Sequence, residues 1–259
     1  MTMSAGQRLK DRVALVTGGG RGVGAAVCVA LAEDGADVVV NYRRSVDEAG
    51  EVVAQIEKLG RRAVAIQADV ADSDATQAMV EQAVEELGSL GIVVHNAGLA
   101  SRPNLVSDTP REEVERLMAN HAIGPHQLTR WALPHLREQE RGDIVFVSSI
   151  ATRHHQPYGA PYSMAKAAME SLAFTLAKEE RKHNIHVNVV APGLIDTEMG
   201  KRLVKSWGAD IDQMDAQSPF GRVCQPEDVA GVVRYFCSDH AGYLTGERVY
   251  LDGGGVTPP

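Results

Sequence analysis

Seven short runs rich in Val and Ile alternate with longer segments of helical periodicity, and that alternation leaves few folds open to the chain. The runs are RVALVTG (12–18), ADVVVNY (36–42), RAVAIQAD (62–69), GIVVHNAG (91–98), DIVFVSS (143–149), IHVNVVAPG (185–193) and ERVYLDGG (247–254). They are nearly continuous in apolar residues, as strands buried on both faces must be. Between them lie GAAVCVALAEDG, VDEAGEVVAQIEKLG, ATQAMVEQAVEELG and REEVERLMANHAIGPHQLTRWALPHLRE, whose apolar residues recur at helical spacing. Gly35, Gly60 and Gly88 close three of them as helix stops. The fourth is expected to bend or break at Pro125 and Pro134. The pattern predicts an α/β protein, a doubly wound, seven-stranded parallel sheet with helices on both faces.

No Ser/Gly linker or charge run divides the 259 residues, so one domain is expected over 1–259, with 1–8 a loose N-terminal segment. Residues 194–225 break the rhythm. They are much longer than the roughly 2–6 residues usual for such connections, and they follow the carboxyl end of a strand, where lids over sites are built. A lid with its following loop is expected there.

Composition excludes several function classes. A net charge of −8 gives no basic stripe for nucleic acid, and no apolar run approaches the roughly 18–20 residues of a membrane span. Cys28, Cys224 and Cys237 are scattered, without disulfide or metal spacing. No metal site is expected, and the cytoplasm is the expected compartment.

After the first run comes TGGGRGVG, Thr17 to Gly24, leading directly into a helical segment. Glycines permit the tight turn and the close approach of a ligand, while the free N–H groups of a helix start attract phosphate. At a first strand-to-helix junction this text points to the pyrophosphate of a dinucleotide.

A second group lies in APYSMAKAAMESLAFTLAKE (160–179). Tyr162 and Lys166 are four residues apart and therefore share one helix face. A free phenol titrates near 10, and a neighbouring ammonium favours the phenolate, so Lys166 is expected to lower the pKa of Tyr162 into a useful range. Ser149, thirteen residues upstream at a strand end, can bring a hydroxyl to the same point.

TGxxxGxG at Gly18, Gly22 and Gly24, NAG at 96–98, a serine before YxxxK, and PG at 192–193 occur in the order that resembles the classical short-chain dehydrogenase/reductase family, from about Val13 to Gly254. The resemblance implies a Rossmann-type fold and a bound nicotinamide dinucleotide. It implies that Gly18, Arg21, Gly22, Val23 and Gly24 form the cofactor turn, that Asp69 and Val70 meet the adenine, and that Asn96, Ala97 and Gly98 wall the adenosine ribose. Pro192, Gly193, Ile195 and Thr197 would meet the nicotinamide carboxamide. Tyr162 would be the proton donor to a carbonyl oxygen, or the base in the reverse reaction. Lys166 would lower its pKa and hold the nicotinamide ribose, Ser149 would hold the substrate oxygen, and Asn120 would anchor a water beside the lysine.

NAD sites place a carboxylate at the end of the second strand, whereas a 2′-phosphate calls for arginine. Here the text is NYRRS. Tyr42 occupies the position where the family's NAD-specific members tend to carry aspartate, and Arg43 follows it. Arg21 can point at the same pocket, and two guanidiniums suit a phosphate. NADP(H) is expected in preference to NAD(H).

The expected activity is interconversion of a ketone and a secondary alcohol. SPFGRVCQPEDVAGVV resembles 3-oxoacyl-thioester reductases, although sugar and other alcohol dehydrogenases carry similar text. The partner is a small carbonyl or alcohol substrate, free or carrier-bound. Arg137, Arg141, Arg181 and Lys182 offer some basic surface to an acidic carrier, diluted by Glu138, Glu140, Glu179 and Glu180. A non-catalytic NADP sensor is the contrasting reading, but such proteins typically lose the tyrosine or the lysine. His154 and His155 are expected to line or rim the cleft, or simply to lie in a loop, and not to take part in the chemistry. By resemblance alone, a homotetramer is expected.

Overall fold

The computed structural model describes residues 8–218 and 220–255; of the expected N-terminal segment 1–8, residues 1–7 lie outside them. The strands are β1 (Val13–Val16), β2 (Asp37–Tyr42), β3 (Ala63–Gln67), β4 (Ile92–His95), β5 (Gly142–Val147), β6 (Ile185–Pro192) and β7 (Arg248–Leu251). They form one sheet in the order β3-β2-β1-β4-β5-β6-β7, and every neighbouring pair is parallel. The order reverses between β1 and β4, and that switch point opens a crevice beyond the carboxyl ends of the strands.

Burial on both faces explains the Val/Ile runs of β1, β2, β4, β5 and β6, whereas the edge strands β3 and β7, expected to be buried likewise, are only partly covered. Ala14 and Val16 face one cluster with Val38, Val40, Val94 and Val145, while Val13 and Leu15 face the other with Val39, Val93 and Ile144. Helices α1 (Gly22–Glu33), α2 (Val46–Lys58) and α10 (Pro226–Phe236) cover the first face through Val27, Leu31, Ile56 and Phe236. Helices α3 (Ser73–Leu87), α5 (Gly124–Arg137) and α7 (Ala160–Glu180) cover the second through Met79, Leu128, Leu136 and Met169. Gly35, Gly60 and Gly88 all have positive φ, the left-handed conformation that ends a helix.

One expectation needs correction. The long helical segment is broken between α4 (Arg111–Met118) and α5 by a π-helical turn, Ala119–Ile123, and not at its prolines. Pro125 sits in the first turn of α5 and Pro134 lies inside it. The chain stays right-handed helical through the π turn, and Pro125, which has no N–H to give to the preceding turn, follows it directly. The π turn widens the helix locally, so that consecutive residues Asn120 and His121 are both buried.

The 194–225 segment is more ordered than its loop-like text suggests. It contains α8 (Glu198–Ser206), capped by Thr197, and α9 (Ile211–Gln217), capped by Asp210 in a reciprocal box with Gln213. Its two ends are pinned together, with Asp196 N–H donating to Cys224 O at 2.9 Å and Cys224 N–H to Leu194 O at 3.2 Å. Among the described residues no helix is long and apolar enough to cross a membrane.

Candidate active site

The glycine turn is held from three directions. Thr17 Oγ1 accepts the N–H groups of Asn96 and Ala97, each at 3.0 Å. Asn96 Nδ2 donates to Thr17 O at 2.8 Å and to Gly18 O at 3.2 Å. From β2, Asn41 Oδ1 accepts Gly18 N–H at 3.2 Å, while its Nδ2 donates to Ile66 O and Ala68 O. Gly18 and Gly22 have φ of 63° and 52°. A Cβ on Gly24 would lie 2.1 Å from Gly18 O, so only glycine fits there.

The helix that follows is open to an anion. Arg21 at its N-cap is extended and makes no side-chain cap, and the first turn carries no acidic residue. Its first N–H groups are available to phosphate. The PGLIDT segment closes the other side: a Cβ on Gly22 would meet Thr197 Cγ2 at 3.3 Å, and Gly193 N–H donates to Leu251 O. This cradle fits a dinucleotide pyrophosphate. Val23 follows on the first turn of α1, half-buried.

At the end of β2, Tyr42 is half-buried and Arg43 reaches across to β3, where its Nη1 lies 3.3 Å from Asp69 Oδ2. Two residues expected at the cofactor thus meet each other on one rim, and Arg21 is exposed at the neighbouring turn. Asp69 also accepts Ala71 N–H at 3.0 Å. A Cβ on Gly124 would lie 2.2 Å from Val70 O, so α5 begins hard against Val70.

Beyond the end of β5, Tyr162 and Lys166 share a face of α7. Lys166 is 4% exposed. Its Nζ donates to Val147 O at 2.8 Å and lies 5.7 Å from the centre of the Tyr162 ring. The Ser149 hydroxyl accepts Ala151 N–H at 3.2 Å and stands near enough to the phenol to favour its ionised form. Asn120 is buried close by on the π turn, which packs against α7, and its Oδ1 has no protein partner. The four expected catalytic residues therefore converge from β5, α7 and the π turn.

The electrostatics differ from expectation. Burial raises the Tyr162 phenol above its ordinary value, with the Ser149 hydroxyl opposing it. Burial also brings Lys166 down to about 7, with the Glu170 carboxylate pulling the other way. The expected lowering of Tyr162 by the lysine is not seen, because burial is the largest influence on the phenol and disfavours its charged form.

Four residues that matter to this arrangement carry only faint sequence signals. Thr17 and Asn41 lock the glycine turn, and each is a polar residue in an apolar strand text. His121, 1% exposed, stands edge-on to Tyr162 with ring centres 5.3 Å apart; burial, then the charge of Lys166, lowers its pKa to about 3, so it is neutral. Glu170 lies one turn beyond Lys166. His154 ends the short helix α6 (Ala151–His154), and His155 is exposed with φ of 47°.

Comparison with known proteins agrees in extent with this geometry. The family model described as enoyl-(acyl carrier protein) reductase matches residues 18–256. Versicolorin reductase stcU of Emericella nidulans is 40% identical over 264 residues, covering 98% of this chain and 99% of that protein. The 3-oxoacyl-[acyl-carrier-protein] reductase FabG of Staphylococcus aureus is 36% identical over 241 residues, covering 93% and 96%. A solved structure of a short chain dehydrogenase from Burkholderia cenocepacia in complex with NADP shares 33% identity and a TM-score of 0.86, over 95% of this chain and 98% of that one.

Proposed function

Because the chain belongs to the short-chain dehydrogenase/reductase family, whose members act at carbonyl and alcohol carbons, we propose that it is an NADP(H)-dependent ketoreductase. It interconverts a ketone and a secondary alcohol. The observation that carries this reading is the meeting of Ser149, Tyr162 and Lys166 beside a cradle shaped for a pyrophosphate.

The residues supply proton handling and orientation. Ser149 donates to the substrate oxygen while the Tyr162 phenol, kept protonated by burial, delivers its proton to that same oxygen as negative charge grows there. Lys166 stabilises the resulting phenolate; its ammonium has three donors, of which Val147 O takes one. When bound, the nicotinamide supplies the hydride that reaches the carbonyl carbon.

NADP(H) is supported by the guanidinium of Arg43, by Tyr42 where a carboxylate would otherwise contact the ribose, and by the NADP held by the Burkholderia neighbour. The substrate is read as a free ketone in preference to a carrier-bound one. Of the basic residues considered for a carrier, Arg137 is bonded to Glu180, and Arg141 is turned inward to Asp143, Phe236 O and Ser238 O. A homotetramer is proposed as well: Tyr235, Tyr243 and Val249, on or beside α10 and β7, are exposed. Sedimentation as a monomer at micromolar concentration would remove that part.

The test is NADPH oxidation against a panel of ketones, with Tyr162→Phe as control. Wild-type turnover that the variant loses while still binding NADPH supports the reading. A wild type that binds NADPH and reduces nothing overturns it in favour of a sensor.

A further inference from the structure

We propose that Glu170 is a positioning residue of this catalytic group, clamping the loop that carries Ser149 from both sides while facing Lys166 one helical turn away. The proposal rests on the ketoreductase reading for what the loop does, but the clamp itself stands on geometry. Glu170 is 4% exposed. Its Oε1 accepts the hydroxyl of Ser148 at 2.6 Å and that of Thr152 at 2.9 Å, the Thr152 proton being shared with Ser149 O at 3.0 Å. Ser148 precedes Ser149 directly, and Thr152 lies one turn after it, its N–H donating to Ser149 O at 3.2 Å. A single carboxylate oxygen therefore fixes the backbone on both sides of the serine that meets the substrate.

The other oxygen, Oε2, is bonded to Arg248 from β7. That guanidinium also lies over the rings of Tyr250, at 4.7 Å, and Phe174, at 5.9 Å. The clamp thus ties α7 to the edge of the sheet as well as to the serine loop. A buried carboxylate needs such saturation by donors, and Glu170 has three.

Its charge reaches further. Residues four apart on a helix are neighbours, and among the causes acting on Lys166 the carboxylate of Glu170 is the one that favours the ammonium against burial. Other polar groups near the lysine are the Tyr162 phenol on the same helix, neutral His121 on the π turn, and Val147 O on β5. Around the carboxylate stand Ser148, Thr152 and Arg248. Arg248 faces the carboxylate from the side of β7 and weakens its hold on the lysine's proton.

Glu170→Gln keeps the shape and removes the charge. It is expected to lower kcat about tenfold, on the scale of one charge-assisted hydrogen bond, and to move the alkaline fall of activity to lower pH. Arg248→Met leaves the carboxylate without its cation and is expected to move that fall to higher pH. Ser148→Ala combined with Thr152→Val removes the clamp but keeps the charge, so kcat falls while the pH limb stays in place. Wild-type kcat and pH profile in Glu170→Gln would overturn the proposal, as would a loss of kcat in all three variants without opposite movements of the limb. If Glu170→Gln does not fold, the Arg248→Met shift and the fixed limb of the double variant decide. The pH dependence of NADPH binding, followed by its fluorescence, is read in the same variants without turnover. A shifted binding profile in an enzyme that reduces no ketone retains the Glu170–Lys166 link and rejects only the ketoreductase reading.

Discussion

Arg43 and Asp69 form an ion pair across the ends of β2 and β3, at 3.3 Å and with both side chains more than a third exposed. The pair is a weak one, since solvent screens it, so a 2′-phosphate with two negative charges can draw the guanidinium away from the single carboxylate. Arg43→Ala is expected to weaken NADPH binding by roughly 10–100-fold, the scale of a charge-assisted bond, and to leave NADH nearly untouched. Asp69→Asn should free Arg43 and tighten NADPH relative to NADH. Fluorescence titration of both nucleotides reads these changes, and equal losses for the two in Arg43→Ala would reject the NADP assignment.

Gly24 and Gly50 make opposite predictions from the same substitution. A methyl on Gly24 would collide with Gly18 O at 2.1 Å, whereas one on Gly50, exposed within α2, would meet nothing within 4 Å. Gly24→Ala is expected to cost about 1–3 kcal/mol and to abolish tight NADPH binding by displacing the turn. Gly50→Ala should stabilise by about 0.5–1 kcal/mol, because alanine is the better helix former. Urea denaturation and nucleotide titration together separate the two; a neutral Gly24→Ala would mean that the turn is not packed as described.

Much of this was legible beforehand, and the reason is local chemistry. Val/Ile runs announce buried parallel strands because both faces need apolar cover, and Tyr162 and Lys166 announce themselves because helical spacing alone makes them neighbours. Contacts across long stretches of chain were not legible. The Asn41 bond to Gly18 spans 23 residues, and the Arg248 bond to Glu170 spans 78; nothing in either residue's flanks names its partner. The break before α5 was misplaced at its prolines because no residue type marks a π turn. The helices of 198–217 were hidden by their short length and by polar caps that read as loop.

The pH dependence of turnover follows from Lys166. Burial sets its pKa at about 7, so the ammonium needed beside the phenolate is present below that pH and lost above it. With NADPH varied, kcat/KM reports the free enzyme, and ketone reduction is expected to fall as pH rises through about 7. His121, neutral down to about 3, and Tyr162, shifted upward, do not titrate in that range. Lys166→Arg keeps a positive charge throughout, so the fall should vanish from its profile even where its rate is lower. A fall near 7 that persists in that variant would assign it to another group.

The 194–218 segment is expected to close over the cleft when it is filled. Leu194, Asp196 and Cys224 pin the base of the excursion, while α8 buries only Gly200 and Val204 and leaves Met199 and Leu203 exposed, with Trp207 just after it. An apolar helix edge of this kind gains burial by moving onto a bound ketone, at about 25 cal/mol for each square ångström covered. Amide exchange in α8 and α9 should therefore slow on adding NADPH with a ketone analogue, and Trp207 fluorescence should change in wild type but not in Trp207→Phe, where Trp131 alone reports. Thr197→Ala removes the hydroxyl that accepts Gly200 N–H, a loss of about 1 kcal/mol at the start of α8. It should speed exchange there in the free enzyme and raise KM for the ketone more than it lowers kcat. Exchange in both helices that is the same with and without ligands would show that this segment is fixed cover and that the cleft closes by some other element.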